Sequence, residues 1–204
     1  MTKFPLDANC SVSSTTLPSS RSPSPLLRTP QLIFSDPTHF DVTNTVLLDE
    51  VFTSGILSFS ITVHTVRNEQ GYGNVFFGAV DSNSPFPQLR QKLGWTVDHS
   101  VGYDTYYGDL MVKLPTRRTY KLCHTTMTGG DSIRMELDLD SHPRNVRFFV
   151  NGEAGRCYVT GVPESVRIGF SVCVRNTMLR IDRISRLKQP TPFVGEMWEI
   201  TWGE

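Results

Sequence analysis

Between Leu57 and Val63 apolar and small polar residues alternate without a break, as Leu57-Ser58-Phe59-Ser60-Ile61-Thr62-Val63. Successive side chains of an extended strand point to opposite faces, so this stretch has one face for a core and one that is more polar. The alternation returns downstream. Ile133, Met135, Leu137 and Leu139 alternate with Arg134, Glu136 and Asp138, and Ile168, Phe170, Val172 and Val174 alternate with Arg167, Gly169, Ser171 and Cys173. Val146-Arg147-Phe148-Phe149-Val150 runs into Asn151-Gly152, a pair that tolerates positive φ and so predicts a tight hairpin. Leu179-Arg180-Ile181 begins a further strand after the polar break at Arg175-Asn176-Thr177. No long stretch carries apolar residues at the helical spacing. Two antiparallel sheets packed face to face bury this many one-sided strands, so the expected class is an all-β sandwich.

At 204 residues the chain has room for one generous domain, and 38% hydrophobic with 20% charged residues is enough to build its core. Its start does not share that composition. From Cys10 to about Pro30 the chain is dominated by Ser, Thr and Pro, which bury too little apolar surface to offset the entropy of ordering them. Residues 1–30 are therefore expected to be a disordered leader, with Ser22-Pro23, Ser24-Pro25 and Thr29-Pro30 as proline-directed phosphorylation steps at most. Residues 31–188 are expected to form the sandwich, and residues 189–204, with Trp198 and Trp202, a segment that packs on it.

The 20 Lys and Arg balance the 20 Asp and Glu, so no overall field draws the protein to phosphate backbones or anionic lipid. Neither nucleic acid nor membrane is an expected partner. Met1-Thr2-Lys3-Phe4-Pro5-Leu6-Asp7 lacks the apolar run of a signal peptide, and no segment is apolar for long enough to span a bilayer as a helix. A cytoplasmic location, the nucleus not excluded, is the expectation. Cys10, Cys123, Cys157 and Cys173 form no Cys-x-x-Cys pair and have no His at zinc spacing. They are expected to be buried free thiols in a reducing compartment, with no metal or cofactor.

The strands and turns together resemble the SPRY domain family over roughly Leu32 to Leu187. Ile33-Phe34-Ser35-Asp36-Pro37 resembles its opening strand and loop. Gly55-Ile56-Leu57-Ser58-Phe59-Ser60-Ile61 is similar to its Gly-x-x-x-Trp-Glu-Val strand, with Phe59 and Ser60 in place of Trp and Glu. Val75-Phe76-Phe77-Gly78-Ala79-Val80 looks like the Val-Gly-Val-Ala strand, and His99-Ser100-Val101-Gly102-Tyr103-Asp104 the Ser-x-Gly-Tyr segment. Gly130-Asp131, Leu137-Asp138, Phe148-Phe149-Val150-Asn151-Gly152 and Val162-Pro163 then follow in the family's order. The resemblance implies a sandwich of the concanavalin-like jelly-roll type that recognises proteins or peptides. It also implies a pocket lined by Tyr103, with walls from the loops around Asp36-Pro37-Thr38, Asp81-Ser82-Asn83 and Val174-Arg175-Asn176. The segment after Leu187 does not resemble the ligase-recruiting box that follows some SPRY adaptors.

Residue chemistry points the same way. Gly102-Tyr103-Asp104-Thr105-Tyr106-Tyr107-Gly108 concentrates three tyrosines between glycines, and tyrosine gives a large contact area and a hydroxyl at low entropic cost. Tyr103, Asp104, Tyr106 and Tyr107 are therefore expected on a recognition loop, with Tyr103 a binding hot spot rather than a core residue. Leu93-Gly94-Trp95 fits either a pocket rim or the core.

The most enzyme-like constellation is Glu136-Leu137-Asp138-Leu139-Asp140, whose three carboxylates share one strand face as in some jelly-roll glycosidases. The expected reading is a solvated outer face. His39, His64, His99, His124 and His142 lie on different elements and complete no triad. Gly71-Tyr72-Gly73 and Thr128-Gly129-Gly130-Asp131 precede no helix and read as turns. Three classes remain in order of preference: a non-catalytic protein-binding module, a carbohydrate-binding or hydrolysing jelly roll using Glu136, Asp138 and Asp140, and a structural domain of a larger assembly.

Overall fold

The computed structural model describes residues 31–33, 44–65, 75–85, 93–123, 127, 129–172, 177–193 and 195–203. The leader and the expected wall residues Asp36, Pro37, Thr38, Val174, Arg175 and Asn176 lie outside these residues. Thirteen strands are found among them: β1 (Gln31–Ile33), β2 (Asn44–Leu47), β3 (Ile56–Thr65), β4 (Val75–Asp81), β5 (Ser100–Asp104), β6 (Asp109–Lys113), β7 (Arg118–Leu122), β8 (Ser132–Asp138), β9 (Asn145–Val150), β10 (Glu153–Thr160), β11 (Val166–Val172), β12 (Thr177–Leu187) and β13 (Trp198–Thr201). They form a seven-stranded sheet in the order β1-β12-β3-β8-β9-β10-β13 and a six-stranded sheet in the order β2-β11-β4-β5-β6-β7. Every pairing is antiparallel except β10 with β13.

The alternation of β3 is realised in full. Leu57, Phe59, Ile61 and Val63 face the core, and across the register their neighbours Ile133, Met135 and Leu137 do the same. Phe59 meets Phe52 edge-on at 5.3 Å. From the six-stranded sheet, Phe77 stacks on Phe170 at 5.1 Å and meets Phe148 of the facing sheet edge-on at 6.2 Å. Fully burying such a side chain contributes about 1.5–3 kcal/mol, so this inter-sheet layer holds the sandwich closed. At the β9–β10 hairpin, Asn151 and Gly152 have φ of 50° and 88°, which an Asn-Gly turn supplies cheaply.

The six-stranded sheet is covered on its outer face too. Residues 93–98 cross it, and Leu93 and Val97 pack with Leu47, Phe76, Val80 and Met111 in a second apolar cluster. The crossing is tight enough to need glycine. A Cβ on Gly102 would sit 3.0 Å from the Leu93 carbonyl oxygen, and Gly94 has φ of 71° with Met111 Cβ 2.9 Å from where its own Cβ would be. Ser171 Oγ accepts from Leu93 N at 3.1 Å and Ser100 Oγ from Gly94 N at 2.9 Å, which fixes the crossing segment to the strands. Burial on both faces explains why β4 reads as a continuous apolar run rather than an alternating one.

Two expectations are corrected here. Cys123 and Cys157 are not free thiols but form a disulfide with Cα atoms 5.4 Å apart. It ties the end of β7 in one sheet to β10 in the other. The Glu136 row is solvated only at Asp140, which is exposed, whereas Asp138 and Glu136 are buried. Glu136 is wholly buried beneath residues 189–193, and accepts from Thr191 N at 2.9 Å, Thr191 Oγ1 at 2.6 Å, Arg134 at 2.8 Å and Arg147. Arg147 in turn lies 4.4 Å from the Phe193 ring.

Candidate functional site

β5 alternates like the other strands, with Val101 and Tyr103 inward and Ser100, Gly102 and Asp104 toward the outer face. Tyr103 is therefore a core residue, with 0% exposure and its ring stacked on Phe148 at 5.5 Å. This corrects the expectation of a loop tyrosine with an available outer face. Burial, and then the charges of Asp104 and Asp109, push its phenol well above the usual range, so it stays neutral.

Asp104 ends the strand and organises the turn after it. Its Oδ1 accepts from Tyr106 N at 2.8 Å and Tyr107 N at 3.5 Å, and its carbonyl accepts from Gly108 N at 2.9 Å. An aspartate that caps the turn it begins holds the next residues in one conformation. Thr105 anchors the same turn to β4, accepting from Val75 N at its hydroxyl and donating its own N–H to the Val75 carbonyl, both at 3.0 Å. Tyr106 and Tyr107 then stand edge to face at 4.6 Å, Tyr106 half-buried and Tyr107 52% exposed.

The Asp104 carboxylate is itself buried, and burial raises its pKa to about 6, against the opposing pull of the two backbone N–H groups. The Trp95 indole N–H is near enough to favour the charged form, though neither Trp95 Nε1 nor Asp104 Oδ2 completes a hydrogen bond among the described residues. Trp95 is half-buried, edge-on to Phe76 at 6.4 Å, with the Arg118 guanidinium 4.3 Å from its ring. Leu93 is core while Trp95 is rim, which resolves the two readings of that segment. Asp104 thus links the Tyr106–Tyr107 turn to Trp95 in one rim on the six-stranded sheet, and Arg118, whose backbone lies opposite Lys113 toward the Ser100 end, reaches Trp95 with its guanidinium.

Asp81, Ser82 and Asn83 are elsewhere. β4 and β5 are antiparallel, with Phe76 opposite Asp104 and Val80 opposite Ser100, so the turn after Asp81 lies at the other end of the sheet, roughly 20 Å from the tyrosine turn. There Asp81 Oδ1 accepts from Asn83 N at 2.9 Å, and Ser82 N donates to the Ser165 carbonyl at 3.0 Å. The residues named from sequence therefore divide between two ends of one sheet. Arg118 is not among them, although Arg118-Thr119-Tyr120-Lys121-Leu122 carries the period-two pattern of an edge strand with large side chains outward.

The carboxylate row offers no comparable opening. Asp138 Oδ1 accepts from Asp140 N at 3.1 Å and Ser141 N at 2.9 Å, and Asp140 Oδ1 accepts from Gly55 N at 2.7 Å. Burial alone would raise the Glu136 pKa, but the two Thr191 bonds, the Arg147 charge and the Arg134 bond together lower it. A general acid needs the opposite shift and contact with substrate. Among the described residues no group of three His, Cys, Asp or Glu side chains is placed to hold a metal ion.

The sandwich superposes on a crystallised human SPRY domain with a TM-score of 0.55 at 16% identity, covering 78% of this chain and 97% of that one. The SPRY domain of human HERC1 gives 0.51 at 14% identity, covering 78% of this chain and 94% of that one. The fold is that of a SPRY domain. The carbohydrate recognition domain of Emp46p shares the wider jelly-roll architecture, with a TM-score of 0.51 at 8% identity over 76% of this chain and 80% of its own. No family model and no curated relative matches the sequence. On this SPRY-type sandwich the tyrosine turn comes after the fifth strand and the 93–98 segment crosses the sheet beside it.

Proposed function

We propose that this chain is a non-catalytic module that binds a protein or peptide partner at the rim of Asp104, Trp95, Tyr106 and Tyr107. The observation that carries the reading is Tyr107. Its ring is 52% exposed, yet its backbone is held by a buried carboxylate on a rigid strand. A large side chain that keeps its position before binding loses little entropy on binding, which is how interface tyrosines act as anchors. The SPRY-type fold supports a recognition role by analogy. The burial of Glu136 weighs against the carbohydrate-processing alternative. Asp81, Ser82 and Asn83 are proposed only as a second contact region, at the far end of the sheet.

Affinity capture from the native cell, comparing wild type, Tyr107→Ala and Tyr103→Ala, tests this. Tyr107→Ala is expected to keep the melting transition and lose a specific partner by about tenfold or more. Tyr103→Ala is expected to melt much earlier, at a cost of about 3–5 kcal/mol. Retention of every partner at full strength by a folded Tyr107→Ala variant would sink the proposal.

A further inference from the structure

Among the described residues β7 is the outermost strand of the six-stranded sheet, and no further strand pairs with its outer side. Leu114 and Arg117 exchange both backbone hydrogen bonds, and Cys123 N donates to the Gly108 carbonyl. In an antiparallel pair bonded and non-bonded positions alternate, so Thr119 and Lys121 bond to β6 while Arg118, Tyr120 and Leu122 turn their N–H and C=O groups outward. The same three residues expose their side chains, Tyr120 by 61% and Leu122 by 60%. The edge closes at Leu122, whose carbonyl oxygen lies 3.7 Å from Cys157 Sγ of β10, and past it Arg156 N donates to the Cys123 carbonyl.

The edge is also charged with one sign. Arg117, Arg118, Lys121 and Arg156 lie along it or beside its closed end, and none of them has a carboxylate partner among the described residues. Arg118 and Lys121 rest instead on Trp95 and Trp198, at 4.3 Å and 5.8 Å. An open row of backbone donors and acceptors is a template for another strand, which edge strands usually guard against with bulges or cover. We propose that β7 docks an extended acidic segment of a partner protein, which adds to the sheet as a seventh strand. Its backbone would pair with residues 118 and 120, and its carboxylates would meet Arg118 on one face of the sheet or Arg117 and Lys121 on the other, since neighbouring strand positions face opposite ways. The inference rests on the reading of the chain as a protein-binding module and gives that partner a chemistry.

The test uses a fluorescent heptapeptide, Glu-Val-Glu-Phe-Glu-Val-Glu, its counterpart with Lys for every Glu, and the acidic peptide methylated on every backbone nitrogen. Fluorescence anisotropy with the full chain is expected to show binding of the first alone, weakened by added salt. Tyr120→Pro is expected to cut affinity at least tenfold relative to Tyr120→Ala. Both lose the ring, but only proline loses the outward N–H, and a proline there removes no bond to β6. Arg117→Glu with Arg118→Glu is expected to abolish binding, with melting curves confirming the fold of each variant. Equal binding of acidic and basic peptides, equal binding of the methylated form, or no binding to folded wild type would overturn the edge proposal. The capture experiment on Tyr107 would be untouched by those results. A loss of cellular partners in Tyr107→Ala with peptide binding intact would place the failure, or the success, on one surface at a time.

Discussion

Asp104 and Glu136 are both buried carboxylates on β-strands, and their surroundings shift them in opposite directions. Asp104 has a raised pKa of about 6 against an ordinary 3.8, because burial outweighs its backbone hydrogen bonds. The folded state therefore binds its proton more tightly than the unfolded chain does. The stability this contributes is complete below the ordinary value and is lost as pH rises through about 6, on the order of 3 kcal/mol if the whole shift is expressed. Glu136 is lowered, so its contribution is present above the ordinary 4.5 and is lost as pH falls through its folded value. Melting temperature is expected to rise as pH is lowered from 7 to 5 and to fall in stronger acid. Asp104→Asn should flatten the first limb and leave the second, and an unchanged first limb in that variant would show that Asp104 is not its source.

At the scale of elements, period two carries most of what is legible in the sequence. β3, β8 and β11 show it as alternation, and the Asn151-Gly152 hairpin is marked by residues that tolerate positive φ. The same rule applied to Val101-Gly102-Tyr103-Asp104 places Tyr103 beside Val101 on the inner face, whereas the cluster of tyrosines points to a loop. Alternation cannot show which outer faces are covered. Glu136 meets Thr191 across 55 positions, and nothing local marks that contact. Residues 188–193 run over β8 and β9, and β13 then adds to β10 at the sheet edge. Removing one partner of a buried ion pair typically costs about 3–5 kcal/mol, since the remaining charges stay buried. Glu136→Gln is accordingly expected to loosen this strap. Limited trypsin digestion should then cut after Lys188 in the variant under conditions where the wild-type chain keeps that bond intact. Equal resistance of the two would mean that Thr191 and Phe193 hold the strap without the carboxylate.

For the molecule as a whole, the sandwich and its SPRY character are readable because the marks are spread along the chain in order. The disulfide is not, since Cys123 and Cys157 are 34 residues apart and meet only through the tertiary fold. A crosslink closing a loop of that length stabilises by about 3–4 kcal/mol in the chain-entropy account. Reduction is expected to lower the melting temperature of wild type and leave Cys123→Ser unmoved, whereas no effect of reductant on wild type would return the pair to free thiols. The two ends of the six-stranded sheet remain the larger division, because the tyrosine turn lies at one and Asp81-Ser82-Asn83 at the other. Hydrogen–deuterium exchange of the full chain, with and without a partner recovered by capture, reads both ends at once. Protection on binding is expected to fall on residues 104–108 and to extend to 118–122. Protection confined to residues 81–85 and the adjoining Ser165 turn would contradict a binding surface at the tyrosine rim.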